Sequence, residues 1–102
     1  MTARRVDANQ PSIVADLRAI GATVQDLHEV GDGCPDILVG FRGVNYVLEI
    51  KRQTETALYV TIREGHLSDR QRDWHDAWRG QVAVIRSFED ALAVMGVEVT
   101  YG

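Results

Sequence analysis

Asp36-Ile37-Leu38-Val39-Gly40-Phe41-Arg42-Gly43-Val44-Asn45-Tyr46-Val47-Leu48-Glu49-Ile50-Lys51 reads as two apolar runs joined by a two-residue turn at Arg42-Gly43. Gly in a two-residue loop between such runs is a strong hairpin signal. The turn sets the register. Phe41 faces Val44, Gly40 faces Asn45, Val39 faces Tyr46, Leu38 faces Val47 and Ile37 faces Leu48. Continued by one step, Asp36 faces Glu49. Directly opposed residues share a face of the sheet, with Cβ atoms about 5 Å apart. Lys51 lies on the same face as Glu49, because side chains alternate along a strand. The opposite face carries Tyr46, Leu48 and Ile50, and is expected to pack on the core.

Outward from the hairpin, residues 30–35 hold two glycines and Pro35 and read as a turn. Residues 22–28 read as a strand. Ahead of it, Asn9 or Gln10 caps a helix whose first turn holds Pro11. Ile13, Val14, Leu17 and Ile20 recur along it at helical spacing, and Gly21 ends it. Downstream, residues 52–67 are polar and poorly periodic and read as a mobile loop. Ser68 and Gln71 form a capping-box pattern that opens a helix carrying Trp74, Ala77 and Trp78. Residues 81–85 read as a buried strand. Ser87 caps a third helix reaching Met95, ended by Gly96, and residues 97–100 are compatible with a last edge strand. Residues 1–8 read as a loose arm. The order αβββαβα, with a strand–helix–strand crossover after a hairpin, predicts an α/β fold with a mixed sheet flanked by helices.

The chemistry follows from the opposed acids. Two carboxylates facing each other repel and weaken a strand pair. A divalent cation between them reverses that. Hard cations such as Mg²⁺ take oxygen ligands, commonly one or two carboxylates with water and substrate phosphate. Asp36 and Glu49 are therefore the candidate metal ligands, with the backbone carbonyl of Ile50 as a further oxygen. Lys51 stands beside them. It is the single Lys of the chain, against ten Arg, and an amine can join proton transfer where a guanidinium cannot. The set suits phosphodiester hydrolysis, with Lys51 orienting or deprotonating water or stabilising transition-state charge.

Bulk properties bound the reading. The 102 residues suit one domain over residues 1–102, with 45% hydrophobic and 25% charged residues. No apolar run is long enough to span a membrane, and no signal-peptide pattern follows the basic start. Cys34 is alone, so an internal disulfide is excluded and a cytoplasmic setting is expected. The net charge of −4 argues against a protein that coats nucleic acid. It leaves room for an enzyme that meets DNA through a local patch, with Arg52 and Arg63 as the phosphate-binding candidates. Residues 26–40 hold four acids and no Lys or Arg, which favours cations there.

Other residues have simpler readings. His28, His66 and His75 lack metal-ligand spacing and each reads as structural. Trp74 and Trp78, at i and i+4, read as core or dimer packing. Cys34 reads as an inert thiol.

Pro35-Asp36 followed by Glu49-x-Lys51 resembles the PD-(D/E)xK nuclease superfamily. Within it the chain looks like the small stand-alone VRR-NUC domains of bacteria and bacteriophages. The resemblance runs from Asp7-Ala8-Asn9-Gln10 to Ser87-Phe88-Glu89-Asp90. It implies a restriction-endonuclease-like αβββαβ core, Mg²⁺ or Mn²⁺ dependence, DNA cleavage of the Holliday-junction-resolvase kind and a homodimer. It also implies an acidic residue on the first helix, where this chain offers neutral Asn9 and Gln10, and a polar residue on the helix after the motif, where Gln71 fits. The competing reading is a DNA-binding or assembly module that keeps the fold without catalysis.

Overall fold

A computed structural model describes residues 10–52 and 67–98. Asn9, Arg63, the 1–8 arm, most of the 52–67 loop and residues 99–100 of the expected last strand lie outside the described residues. Helix α1 spans Gln10–Ala19, strand β1 Thr23–Asp26, β2 Ile37–Phe41, β3 Val44–Ile50, helix α2 Asp69–Ala77, β4 Ala83–Ile85 and α3 Phe88–Val94. The four strands stand in the order β1-β2-β3-β4. The first three pair antiparallel, and β4 joins β3 in parallel after the α2 crossover. This is the α/β mixed sheet expected.

The hairpin register is the expected one, from Phe41↔Val44 to Ile37↔Leu48. Arg42 and Gly43 both take positive φ, which matches the twist of the flanking strands. Alternation then divides the sheet. Ile37, Val39, Leu48, Ile50 and Ile85 are buried with Ile13 and Leu17 of α1 and Ala91 and Leu92 of α3. Those two helices therefore cover the apolar face. The other face carries Glu49 and meets the side of the molecule occupied by α2.

Four expectations need correction. Ile20 does not extend the apolar stripe of α1. It is exposed just past the last helical residue, Ala19, and Gly21 ends the helix as expected, with Ala22 N–H donating to Leu17 O and Gly21 N–H to Arg18 O. This paired closure brings Ala22, not Ile20, into the core. Strand β1 stops at Asp26 rather than residue 28, because the Asp26 carboxylate accepts the His28 backbone N–H at 2.7 Å and turns the chain. Strand β4 begins at Ala83 rather than residue 81, because the Gln81 side chain makes the bonds to β3 itself. Its Oε1 accepts from Val47 N–H at 2.6 Å and its Nε2 donates to Val47 O at 3.3 Å. Residues 97 and 98 are not in a strand.

The two tryptophans are not core residues. No residue of α2 is buried. Trp74 and Trp78 stack on each other at 4.5 Å, Trp78 is exposed, and its indole N–H donates to Gln81 O at 3.1 Å. The capping box at Ser68 and Gln71 is present in both directions. No helix of the described residues is long and apolar enough to cross a membrane.

Candidate active site

The described site residues come from four places: the end of the 27–36 turn, the end of β3, the first turn of α2 and the turn after β1. The turn is held against α2 by a close backbone approach at Gly33. Its φ is +83°, and a Cβ there would stand 2.2 Å from the Arg70 carbonyl oxygen. Glycine is required on both counts. The contact sets α2 against the turn that carries Asp36, one residue ahead of Gln71.

Asp36 lies just past the β2–β3 ladder. Its N–H donates to Leu48 O at 3.1 Å, and its Oδ2 accepts from Ile50 N–H at 2.7 Å. The carboxylate thus folds over the end of β3 instead of standing as a regular cross-strand partner of Glu49. The reason is the bend at Asp36, which ends the pleat one residue early. The carboxylates remain close enough for the Asp36 charge to raise the Glu49 carboxyl. Ile50 N–H points to the Asp36 side, and in an extended strand the carbonyl of the same residue points the same way. The Ile50 carbonyl therefore faces the Asp36 side, beyond the end of the ladder.

Glu49 is 2% exposed. Its Oε2 accepts from Gln71 Nε2 at 2.8 Å and lies 3.7 Å from Lys51 Nζ. Its Oε1 is buried with no hydrogen-bond partner. Burial pushes the Glu49 carboxyl up to about 8; Asp36 adds to the rise, and Lys51 opposes it. Lys51 Nζ donates to Gln71 Oε1 at 2.9 Å, and the same oxygen accepts from Ser68 N–H at 2.9 Å. Gln71 therefore does two things at once. It completes the cap of α2, and it ties the helix to both Glu49 and Lys51.

A cation fits this donor set on two observations. The buried Glu49 oxygen lacks a partner, which is costly unless something positive meets it. The same carboxyl resists ionisation in the bare protein, and a divalent charge would hold it ionised. Among the described residues, no three or more His, Cys, Asp and Glu side chains form a ready metal cage. Asp36, Glu49 and the Ile50 carbonyl could supply part of a coordination shell, the rest being left to water and phosphate.

Other candidates fall as follows. Gln10 is buried, with its Oε1 unpartnered, and lines a cavity with Asp26, Arg18, Val24 and Ile37. Arg52 is exposed directly after Lys51. The Cys34 thiol is pushed up by burial and by the negative charges of Glu49 and Asp36, which suits an inert thiol. His75 is pushed down by burial and by Lys51, and its Nε2 is buried without a partner.

His28 is the residue that sequence reasoning set aside. Its Nδ1 lies 2.6 Å from Asp26 Oδ1 and its Nε2 lies 3.5 Å from Asp36 Oδ1. The signal available was the Asp26-x-His28 spacing beside Pro35-Asp36, which alternation at a strand end can bring to one side.

No family model matches the sequence, and no curated protein does. Among solved structures, one described as a VRR_NUC domain is similar at 26% identity, over 85% of this chain and 89% of that one, with a TM-score of 0.60. A chain with this order of elements, and with acids at the end of its hairpin, carries a VRR-NUC-like fold.

Proposed function

We propose that this chain is a nuclease that hydrolyses DNA phosphodiester bonds with Mg²⁺ or Mn²⁺, and that it selects branched DNA such as a four-way junction. The observation that carries the reading is Glu49: a buried carboxylate beside Asp36, with one oxygen held by Gln71 and Lys51 and the other unmet. The likeness to a VRR_NUC domain supports the nuclease class.

In this reading Asp36, Glu49 and the Ile50 carbonyl hold the cation. When bound, it polarises the scissile phosphate and lowers the pKa of a water. Gln71 fixes the Lys51 ammonium by accepting its N–H at 2.9 Å. Lys51 then donates to a phosphate oxygen or orients the attacking water, supplying charge where the transition state gains it. Arg52 meets a flanking phosphate. Gln71 also keeps Glu49 in place by donating to Oε2, so one side chain sets the relative position of acid and amine. A homodimer is implied by the motif resemblance, and the exposed Trp78 at the end of α2 offers apolar surface for it.

The neutral, buried Gln10 where the family resemblance implies an acid favours the second reading, a catalytically inactive DNA-binding module. Cleavage of a labelled four-way junction and its matching linear duplex separates them. Wild type is assayed beside Lys51→Ala, with Mg²⁺, Mn²⁺ or EDTA. Cutting by wild type with metal alone, faster on the junction, supports the nuclease. Binding without cutting, by folded protein, supports the inactive module.

A further inference from the structure

Asp26 and His28, which have no part in the hydrolysis proposed above, reach Asp36 through a chain of contacts. Asp26 Oδ1 accepts the His28 backbone N–H at 2.7 Å and stands 2.6 Å from the ring Nδ1. A carboxylate only accepts, so Nδ1 carries the ring proton. In the neutral ring that leaves a lone pair on Nε2, and Nε2 points at another acceptor, Asp36 Oδ1, 3.5 Å away. Two acceptors facing each other at that distance repel unless a proton on Nε2 or a metal cation stands between them. The His28 side chain is 15% exposed and that of Asp36 17%, so bulk water does little to screen the pair.

A histidine whose Nδ1–H is fixed by a carboxylate and whose Nε2 is turned to a second anionic oxygen has the form of an oriented metal ligand. Nitrogen ligands suit first-row transition metals, whereas Mg²⁺ keeps to oxygen.

We propose that His28 Nε2 is a ligand to the divalent cation held at Asp36, oriented by Asp26, and that it gives this site a preference for Mn²⁺ over Mg²⁺. The inference rests on the cation-dependent reading above and adds to it a nitrogen ligand and a metal preference. With Asp36 and Glu49 this makes three side-chain ligands, which do not stand as a ready cage among the described residues and would close on the cation together with water and substrate. His28 lies on the turn after β1 and Asp36 just before β2, so the two ligands come from paired strands. Their separation is set by the backbone bond from Leu27 N–H to Asp36 O at 2.9 Å.

The test is a spin-echo measurement on Mn²⁺ bound to the whole protein, read for ¹⁴N modulation from a coordinated imidazole, with isothermal titration of Mn²⁺ and Mg²⁺ beside it. Wild type is expected to show nitrogen coupling. His28→Gln is expected to lose it, and to lose Mn²⁺ affinity by ~10-fold or more while Mg²⁺ affinity moves much less; Asp26→Ala is expected to weaken Mn²⁺ binding in the same sense. Bound Mn²⁺ without nitrogen coupling in wild type overturns the proposal and leaves the nuclease reading intact. Coupling that persists in His28→Gln assigns the nitrogen to another histidine and also overturns it. Absence of Mn²⁺ binding at millimolar concentration, with and without DNA, overturns this proposal and the cation-dependent reading together. A wild-type spectrum without coupling decides alone; where coupling is present and His28→Gln fails to fold, His28→Asn supplies the same comparison.

Discussion

Replacing Glu49 by Gln tests the electrostatics of the site without touching its packing. The Glu49 carboxyl titrates at about 8 in the fold against 4.5 for an ordinary glutamate. The unfolded chain therefore releases this proton above pH 4.5, while the folded chain holds it until about pH 8. The unfolded state binds fewer protons across that window, so stability falls as pH rises through it. The contribution is whole below pH 4.5 and lost above about pH 8. Each pH unit is worth about 1.4 kcal/mol, so the interval costs at most about 5 kcal/mol. That is a large share of the ~5–15 kcal/mol that holds a domain together. Gln keeps an acceptor oxygen for Gln71 and never ionises. Urea unfolding in EDTA should give wild type and Glu49→Gln nearly equal stability at pH 5, with the variant ahead by several kcal/mol at pH 8. Saturating Mn²⁺ at pH 8 should return part of the loss to wild type alone, about 2.7 kcal/mol at a hundredfold excess over Kd. Parallel pH profiles for the two proteins would refute the claim that Glu49 is buried against its own ionisation. Titrating groups that do not interact with Glu49 are common to both proteins and cancel in the difference; Asp36 and Lys51 interact with it and contribute to that difference.

Gly33→Ala should cost at least ~2 kcal/mol in urea unfolding, because its Cβ would meet the Arg70 carbonyl in a positive-φ position. Ser68→Ala should cost only the cap, ~1 kcal/mol, and leave cleavage near wild type. Gln71→Ala should lose cleavage by ~10-fold or more, since it releases both Glu49 and Lys51; equal losses in the two variants would reduce Gln71 to a helix cap. Lys51→Ala should stay folded by circular dichroism and lose cleavage by ~10²-fold or more, with Lys51→Arg failing to restore it.

The hairpin was legible because a two-residue turn counts residues, and counting alone put Asp36, Glu49 and Lys51 at one end of the sheet. Gln71 was legible as a cap through Ser68 and as a site candidate through the family resemblance, and its bonds to Glu49 and Lys51 needed α2 to be placed over β3. Three things were beyond local reading. Asp36 leaves the ladder at a bend, so its carboxylate meets the Ile50 N–H. Gln81 pairs with Val47 through its side chain, which propensity assigns to strand backbone. His28 reaches Asp36 only because β1 and β2 are paired, and no spacing rule within one segment encodes that. Trp74 and Trp78 read as core or dimer packing, and the core half of that reading fails: they stack on each other, Trp74 half-buried and Trp78 exposed.

The central claim is that Asp36 and Glu49 hold a divalent cation for phosphodiester hydrolysis. The most direct measurement is single-turnover cleavage of a labelled four-way junction, titrated with Mn²⁺, by wild type and Asp36→Asn. The account predicts saturable, Mn²⁺-dependent cutting by wild type and none by a folded Asp36→Asn. Metal-independent cutting, or equal cutting by the two proteins, would contradict it.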